Sequence, residues 1–329
     1  MQSFWDSLPK PFFVLAPLAN VTDAAFRRII AKYGKPDVLW TEFVSADGLA
    51  LASEEGKRIL MRDLVYTEAE RPIVAQFFTS SSERMQKAAA LAQDLGFDGV
   101  DINMGCPDSS VEGQGAGAKL ILNPTLAREL IEAAKRGSPA LPVSVKTRLG
   151  YNKDTLDEWL PEILKASPAA VTIHARTRKE MSKVPAHFER VKRAVEIRNE
   201  MKSSALIIGN GDLISISDAE DKVRESGADG AMLGRAIFGQ PWLFSKSVVG
   251  VSQPSIETRL RVAVEHTYLY EELLGDIKNF ALMKKHFKAY VEGFSGAKEL
   301  RVQLMESQNA GEVERRIEDF LSVPYTTVI

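Results

Sequence analysis

The 329-residue chain has a single cysteine, Cys106, so it forms no internal disulfide and no cysteine-based zinc centre. Its four histidines, His174, His187, His266 and His286, are widely scattered, which argues against a histidine-rich metal site. No stretch approaches the roughly 20 consecutive apolar residues that a membrane helix needs. The opening MQSFWDSLPKPFF lacks the basic region, apolar segment and small-residue cleavage site of a secretory signal. An excess of one charge is also missing. Lys plus Arg total 42 against 44 for Asp plus Glu, a net charge of -2, so any grip on nucleic acid must come from a local patch. What remains is 45% apolar and 26% charged, the balance of a globular protein in a reducing, cytoplasmic setting. Disordered, fibrous and membrane-spanning classes are excluded.

Short apolar runs of β type recur at 14–19, 38–44, 72–78, 99–106, 143–149, 170–176, 206–212 and 230–236. Helix-like stretches lie between them, among them 82–95, 126–135, 155–165, 189–201 and 217–226. Strands spaced this far apart need crossover helices and therefore pair in parallel. Eight repeats predict an α/β fold, a closed (β/α)8 TIM barrel. No strand runs into a GxGxxG turn, so an open dinucleotide-binding sheet is the weaker reading. After Trp242 the strand pattern stops. Amphipathic stretches at 256–274, 279–291, 297–306 and 310–321 predict a small C-terminal helical domain. The division is a barrel over 1–245 and a helical unit over 252–329, joined through SQPS at 252–255.

The strand ends are unusually polar. Glu42, Gln76, Asp101, Asn103, Lys146, Arg148, His174, Arg176, Asn210, Asp212 and Arg235 all fall in C-terminal halves of runs. A doubly covered strand should be apolar throughout, whereas the C-terminal mouth of a barrel is where sites are built. GVDINMGCP (99–107) puts Cys106 on a mouth loop, followed by GQGAG (113–117), which would keep that loop mobile. The bland reading is a small buried hydrophobe. Its place after a polar strand end favours function, and with no histidine nearby in sequence a proton donor suits it as well as a nucleophile does. Lys146 in VSVKTRLG reads as a structural ion-pair partner, a Schiff-base lysine or a contact to an electron-rich ring. IIGNGDL (207–213) and GADGAMLGRAIFGQPWLF (227–244) are glycine-rich turns after strands 7 and 8, the usual phosphate site of such barrels, with Arg235 as a charged donor. In HARTR (174–178), His174, Arg176 and Arg178 end strand 6 and suit an anionic ligand, with a solvated charge run as the alternative. In the tail, Lys278, Lys284, Lys285, Lys288, Lys298 and Arg301 face only Glu292 and Glu299. That basic face reads equally as an RNA grip or as a solvated surface.

These segments, APLANVTDAAFRR, WTEFVSADG, PIVAQFF, GVDINMGCP, VKTRLGY, HARTR, NGDL and GADGAMLGRAIFGQPWLF in order, with KKHFKAYVEGFSGAKELR in the tail, resemble the tRNA-dihydrouridine synthases. That family consists of FMN-dependent barrel enzymes with a C-terminal helical domain. It reduces the C5–C6 double bond of selected uridines in tRNA with hydride from FMN, itself reduced by NADPH. The resemblance implies that Ala16, Pro17 and Leu18 lie against the FMN ring and that Gln76 bonds its edge. Lys146 and His174 would contact the flavin and its phosphate-bearing chain. Asn210, Gly211, Asp212, Gly234 and Arg235 would cradle that chain and its phosphate. Cys106 looks like the family's proton donor and Asn103 like its uracil contact, while Lys284, Lys285, Lys288, Lys298 and Arg301 would face tRNA. No metal, membrane or obligate protein partner is expected.

The chain departs from the family's usual pattern at Leu18 and Asn20, where Met and Gly are common. After HARTR it carries Glu180, Ser182, Val184, His187 and Phe188 in place of the family's usual continuation, on a loop expected at the mouth. Two competing readings stand beside the resemblance. One is a dihydropyrimidine or dihydroorotate dehydrogenase-like flavoenzyme acting on free pyrimidines. The other is a catalytically silent RNA-binding protein.

Overall fold

The structure, a computed structural model, describes residues 3–245 and 254–322. Residues 1–2 and 323–329, at the ends of the two expected units, and 252–253 of the SQPS connection lie outside the described residues. Seven strands start within one residue of the apolar runs that predict them, while the first starts two residues early and stops at Leu15, leaving 16–19 outside the strand: β1 (Phe12–Leu15), β2 (Leu39–Ser45), β3 (Ile73–Phe78), β4 (Gly99–Met104), β5 (Val143–Arg148), β6 (Ala170–His174), β7 (Leu206–Asn210) and β8 (Gly230–Leu233). All pair in parallel, in the order β1-β8-β7-β6-β5-β4-β3-β2. The seam between β1 and β2 is bridged by main-chain bonds, Leu15 N–H to Val38 O at 3.4 Å and Asp37 N–H to Phe13 O at 3.0 Å.

Helices alternate with the strands. After β1 comes α1 (Ala24–Tyr33), and after β2 come α2 (Ala46–Leu51) and α3 (Glu54–Arg62). Next are α4 (Ser82–Asp94) after β3, then α5 (Ser109–Glu112) and α6 (Pro124–Gly137) after β4. The ring continues with α7 (Leu156–Lys165), α8 (Glu189–Glu200) and α9 (Ile216–Ser226) after β5, β6 and β7. The tail contributes α10 (Ile256–Leu274), α11 (Lys284–Tyr290), α12 (Ala297–Glu306) and α13 (Ala310–Ser322). Starts are set by side-chain caps: Ser81, Ser215 and Ser255 each accept a main-chain N–H of the first turn of α4, α9 and α10. The stretch 279–291, expected as one helix, is a 3-10 turn (Phe280–Met283) running into α11, with Asn279 capping the turn.

Because successive strand side chains point to opposite faces, each strand splits its residues between two cores. Phe12, Val14, Trp40, Val74, Ala170, Ile208 and Met232 fill the lower interior, with Trp5 closing the bottom. Their sequence neighbours Leu15, Leu39, Ile73, Val171, Ile207 and Leu233 face outward and join the helices, including those of the tail, in a larger core. The tail lies along α1: His266 of α10 stacks on Phe26 at 4.8 Å, and Glu265 accepts from Lys32 Nζ and Tyr33 Oη, both at 2.6 Å.

One ion pair is sealed in this framework. Arg27 on α1 donates from Nε to Glu70 at 2.8 Å, and both side chains are fully buried. The rest of the guanidinium reaches the carbonyls of Thr22 and Val65. Removing one partner strands the other charge without solvent. Glu70→Ala is expected to lower unfolding stability by about 3–5 kcal/mol, read from the midpoint shift in urea denaturation at unchanged slope.

Candidate active site

Above the apolar layer the same inward register continues with polar residues. Gln76 sits beside Asp101 across β3 and β4, and Asp101 beside Ser144 on β5. Asn103 pairs in register with Lys146, Arg148 with His174, and His174 with Asn210. The polar strand ends are therefore the second inward tier. β2 is the exception. Its register slips between Trp40 and Phe43, a bulge that re-aims side chains. Phe43 turns to the cleft, and Glu42 points toward the tail, where Lys278 meets it.

The tier opens into a cleft of about 710 Å³ at the barrel mouth. Ala16, Pro17, Leu18, Gln76, Asn103, Cys106, Lys146 and His174 all line it. So do Arg176, Asn210, Gly211, Asp212, Gly234 and Arg235. With Phe43 of β2, residues from all eight strand ends thus meet in one place, although the sequence scatters them between positions 16 and 235.

A directed hydrogen-bond chain runs along the floor. Asp101 is 1% exposed and accepts from Ser144 Oγ at 2.5 Å and Gln76 Nε2 at 2.7 Å. Gln76 Oε1 accepts from Asn103 Nδ2 at 3.1 Å. Asn103 Oδ1 accepts the main-chain N–H groups of Gly105 at 3.1 Å and Cys106 at 2.9 Å. The acceptor at one end and the two donors at the other require the same orientation of both amides. Burial raises the Asp101 carboxyl to about 6, against the pull of its hydrogen-bond donors.

The Cys106 loop is held from above as well. Arg148 Nε donates to Gly105 O at 2.7 Å, and its Nη1 reaches the carbonyls of Thr177 at 3.2 Å and Met181 at 3.4 Å. The GQGAG segment, expected to be mobile, is instead packed against the thiol loop. Gly117 has φ +60°, and a Cβ there would fall 2.7 Å from Cys106 O. Ala118 N–H donates to that same oxygen at 2.9 Å. Cys106 Sγ belongs to a half-buried residue. Burial and the Asp108 charge push its pKa up, while Arg148 and Lys146 oppose the rise. The thiol is therefore neutral near pH 7.

Lys146 is pushed down to about 8, first by burial and then by the Arg148 charge. Among the described residues its ammonium has one hydrogen bond, a long one to Asn210 Oδ1 at 3.3 Å. His174 is held neutral, its pKa far below the usual value because of burial and the surrounding cations. Arg176 Nη1, always a donor, lies 3.3 Å from His174 Nε2, so that nitrogen is the acceptor and Nδ1 carries the hydrogen.

Several candidates are engaged inside the protein. Arg176 donates to Val184 O at 2.7 Å and to Asp212. Asp212 also accepts from Arg235 at 2.8 Å. Arg178 does not line the cleft. It makes a two-toothed pair with Glu112 and lies over the Tyr151 ring, tying the Cys106 loop to the loop after β6. In the latter loop Glu180 accepts Thr177 N–H at 2.7 Å and sits 3.2 Å from His187 Nε2. Phe188 is buried, and only Ser182 of the five departures lines the cleft. In the tail, Lys288 and Lys298 are exposed and Lys284 half-exposed. Lys285 donates to Asn20 O and Arg301 to Val291 O. Reading the sequence for candidates missed Asp101, Arg148 and Glu112 as residues that hold the thiol loop; the polar strand ends were the available signal for the first two.

Because Cys106 is the only thiol, its titration is directly readable. Iodoacetamide alkylation of the ligand-free protein should be slow at pH 7 and rise with a midpoint above the ordinary thiol value of about 8.5. A midpoint at or below that value contradicts the neutral thiol.

Residues 14–323 match the dihydrouridine synthase (Dus) family. A probable tRNA-dihydrouridine synthase 2 of Bacillus subtilis (strain 168) is 41% identical over 321 residues, 97% of each chain. A probable tRNA-dihydrouridine synthase of Staphylococcus aureus (strain COL) is 38% identical over 320 residues, 97% of this chain and 96% of the relative. Among solved structures, an old yellow enzyme homologue from Zymomonas mobilis superposes with a TM-score of 0.52 at 14% identity, over 77% of this chain and 94% of the other. Histamine dehydrogenase from Rhizobium sp. 4-9 gives 0.55 at 15%, over 78% and 48%. At those identities the likeness establishes the barrel alone. The family match over nearly the whole length settles the assignment: the chain belongs to the dihydrouridine synthase family of flavin-dependent oxidoreductases.

Proposed function

We propose that the protein is a tRNA-dihydrouridine synthase that uses FMN, draws electrons from NADPH and reduces the C5–C6 bond of uridines in cytoplasmic tRNA. The observation that carries this reading is the meeting of the lone thiol, Lys146, Asn103 and Gln76 with the glycine turns after β7 and β8 in one cleft. The residues fit a flavin mononucleotide. The cleft lies within the roughly 300–1,000 Å³ usual for small-molecule sites, and among the described residues the ammonium of Lys146 has a single long hydrogen bond that an electron-rich ring would complement. Ala16, Pro17 and Leu18 would lie along the ring and Gln76 at its edge. Lys146 and His174 would contact the flavin and its side chain. Asn210, Gly211, Asp212, Gly234 and Arg235 would hold the chain and its phosphate.

When bound, the reduced flavin supplies hydride to C6 of the uracil. The chain's own residues do the rest. Asn103 has committed its carbonyl to the Cys106 loop and one N–H to Gln76, which leaves one N–H for a uracil carbonyl. Cys106 holds its proton at Sγ until enolate charge develops on the pyrimidine, then protonates C5. The thiolate left behind is stabilised by the positive charges of Arg148 and Lys146. Arg176, which lines the cleft, would meet an anionic substrate, while Arg178 shapes the rim through its pair with Glu112. The uridine must leave its stack to enter such a cleft, so the helical unit over 252–329 would grip the RNA beside the catalytic barrel over 1–245.

Cys106→Ala should keep the flavin spectrum and lose about 10²–10⁴-fold of NADPH-dependent tRNA reduction. Undiminished turnover, or turnover on free uracil with none on tRNA, overturns the reading. Lys284, Lys288 and Lys298 make no ion pair among the described residues. Reversing all three charges should weaken tRNA binding and flatten its log–log salt dependence by about two to three units, as expected for three lost phosphate contacts. Unchanged binding and slope would place the RNA grip elsewhere.

A further inference from the structure

Two tail lysines counted with the basic face do not reach outward. Lys278, between α10 and the 3-10 turn, places Nζ 2.8 Å from Glu42 Oε2 and 2.8 Å from Asp63 Oδ1. The three side chains are 12%, 7% and 18% exposed respectively. Glu42 reaches this pair only because the β2 bulge turns it out of the barrel. Its other oxygen accepts the main-chain N–H of Asn20. From α11, Lys285 Nζ donates to the main-chain carbonyl of the same Asn20.

Asn20 thus has both main-chain polar groups engaged by the tail, one directly and one through Glu42. Its φ is +56°, a left-handed conformation that side chains other than glycine rarely adopt and keep only where the surroundings hold them. The residue directly follows the segment 16–19, which lines the cleft. Around it, Leu18 and Thr22 close the turn, Leu18 N–H donating to Thr22 Oγ1 at 2.9 Å. Asp23 then caps α1. Its carboxyl is raised to about 6, first by burial and then by the Glu42 charge. Lys278 is therefore the cation that keeps a crowded set of carboxylates compatible: burial disfavours its ammonium, and Glu42 and Asp63 more than offset that.

We infer that Lys278 and Lys285 are positioning residues that hold the cofactor-facing loop of the barrel in its binding shape, so that retention of the flavin depends on the docked tail. The inference rests on the flavin reading above and gives the tail a second task besides gripping RNA. Without Lys278, Glu42 is left unpaired beside Asp63 and Asp23, and turning away from those carboxylates releases the Asn20 N–H. Without Lys285, the Asn20 carbonyl loses its partner. Either change leaves the left-handed turn unsupported and the 16–19 segment free to leave the ring face. By linkage, flavin and tail docking then stabilise each other.

The test is FMN titration of the flavin-stripped full chain, followed by quenching of flavin fluorescence, with thermal midpoints measured without FMN. Lys278→Met should raise the dissociation constant about tenfold or more and Lys285→Met about three- to tenfold, while Lys278→Arg, which keeps the charge, stays close to the parent. Glu265→Gln is the control. It removes the charge from a contact on the same barrel–tail seam, to Lys32 and Tyr33, that touches nothing in the cleft, and it should leave FMN affinity unchanged. Equal affinity in the parent and the folded lysine variants overturns the inference and leaves the flavin reading intact. An equal loss in Glu265→Gln also overturns it, because general undocking then explains the effect. If Lys278→Met does not fold, Lys285→Met decides the question. A parent protein that takes up no FMN removes the flavin reading, and the inference falls with it.

Discussion

Each strand of a closed parallel barrel can place only every second residue inside, and the rest of this structure depends on that two-residue repeat. On β3, Val74 lies in the apolar plug and Gln76 in the cleft above it; on β7, Ile208 and Asn210 divide in the same way. Apolar residues at the lower inward positions seal the floor. Polar residues one step further along have no other place to point than the mouth. Site and core are successive layers of one pattern, so shifting any strand by one residue would exchange a site group for an outward-facing apolar one. The single slip that does occur, in β2, has a visible consequence: Glu42 leaves the barrel and becomes the link to the tail.

Within the site, chemistry follows from hydrogen-bond direction. A buried carboxylate accepts and main-chain N–H groups donate, so the amides of Gln76 and Asn103 between them have one satisfying orientation. That arrangement steadies the loop bearing Cys106 without charging the thiol. A neutral thiol near two cations is suited to giving up a proton once and tolerating the anion that remains. Lys146, partly satisfied and with a lowered pKa, is suited to an electron-rich partner rather than to a structural carboxylate.

The strands and their order were legible because apolar β-type runs separated by helix-length segments admit little else than a parallel barrel. The cleft residues were legible for a related reason: a polar side chain near the end of a buried strand has an unusual environment to satisfy. Charge runs were less informative. Between 278 and 301 the sequence lists lysines without saying which face of a helix they take. In the fold Lys288 and Lys298 meet solvent, Lys278 is enclosed between two carboxylates, and Lys285 and Arg301 bond main-chain carbonyls. Likewise the glycines of GQGAG suggested mobility, yet Gly117 is there because the chain passes too close to Cys106 O for any side chain.

By itself the sequence determined the period of each element, the inward parity of the strands and the gathering of polar groups at their C-terminal ends, since these depend only on local spacing. Tertiary structure decided which charges are spent on one another. Arg178 is joined to Glu112 and Arg176 to Asp212 across the mouth, and the tail's Lys278 reaches Glu42 on β2. Such partners lie far apart along the chain, and only the closing of the barrel and the packing of α10 on α1 bring them within hydrogen-bonding distance.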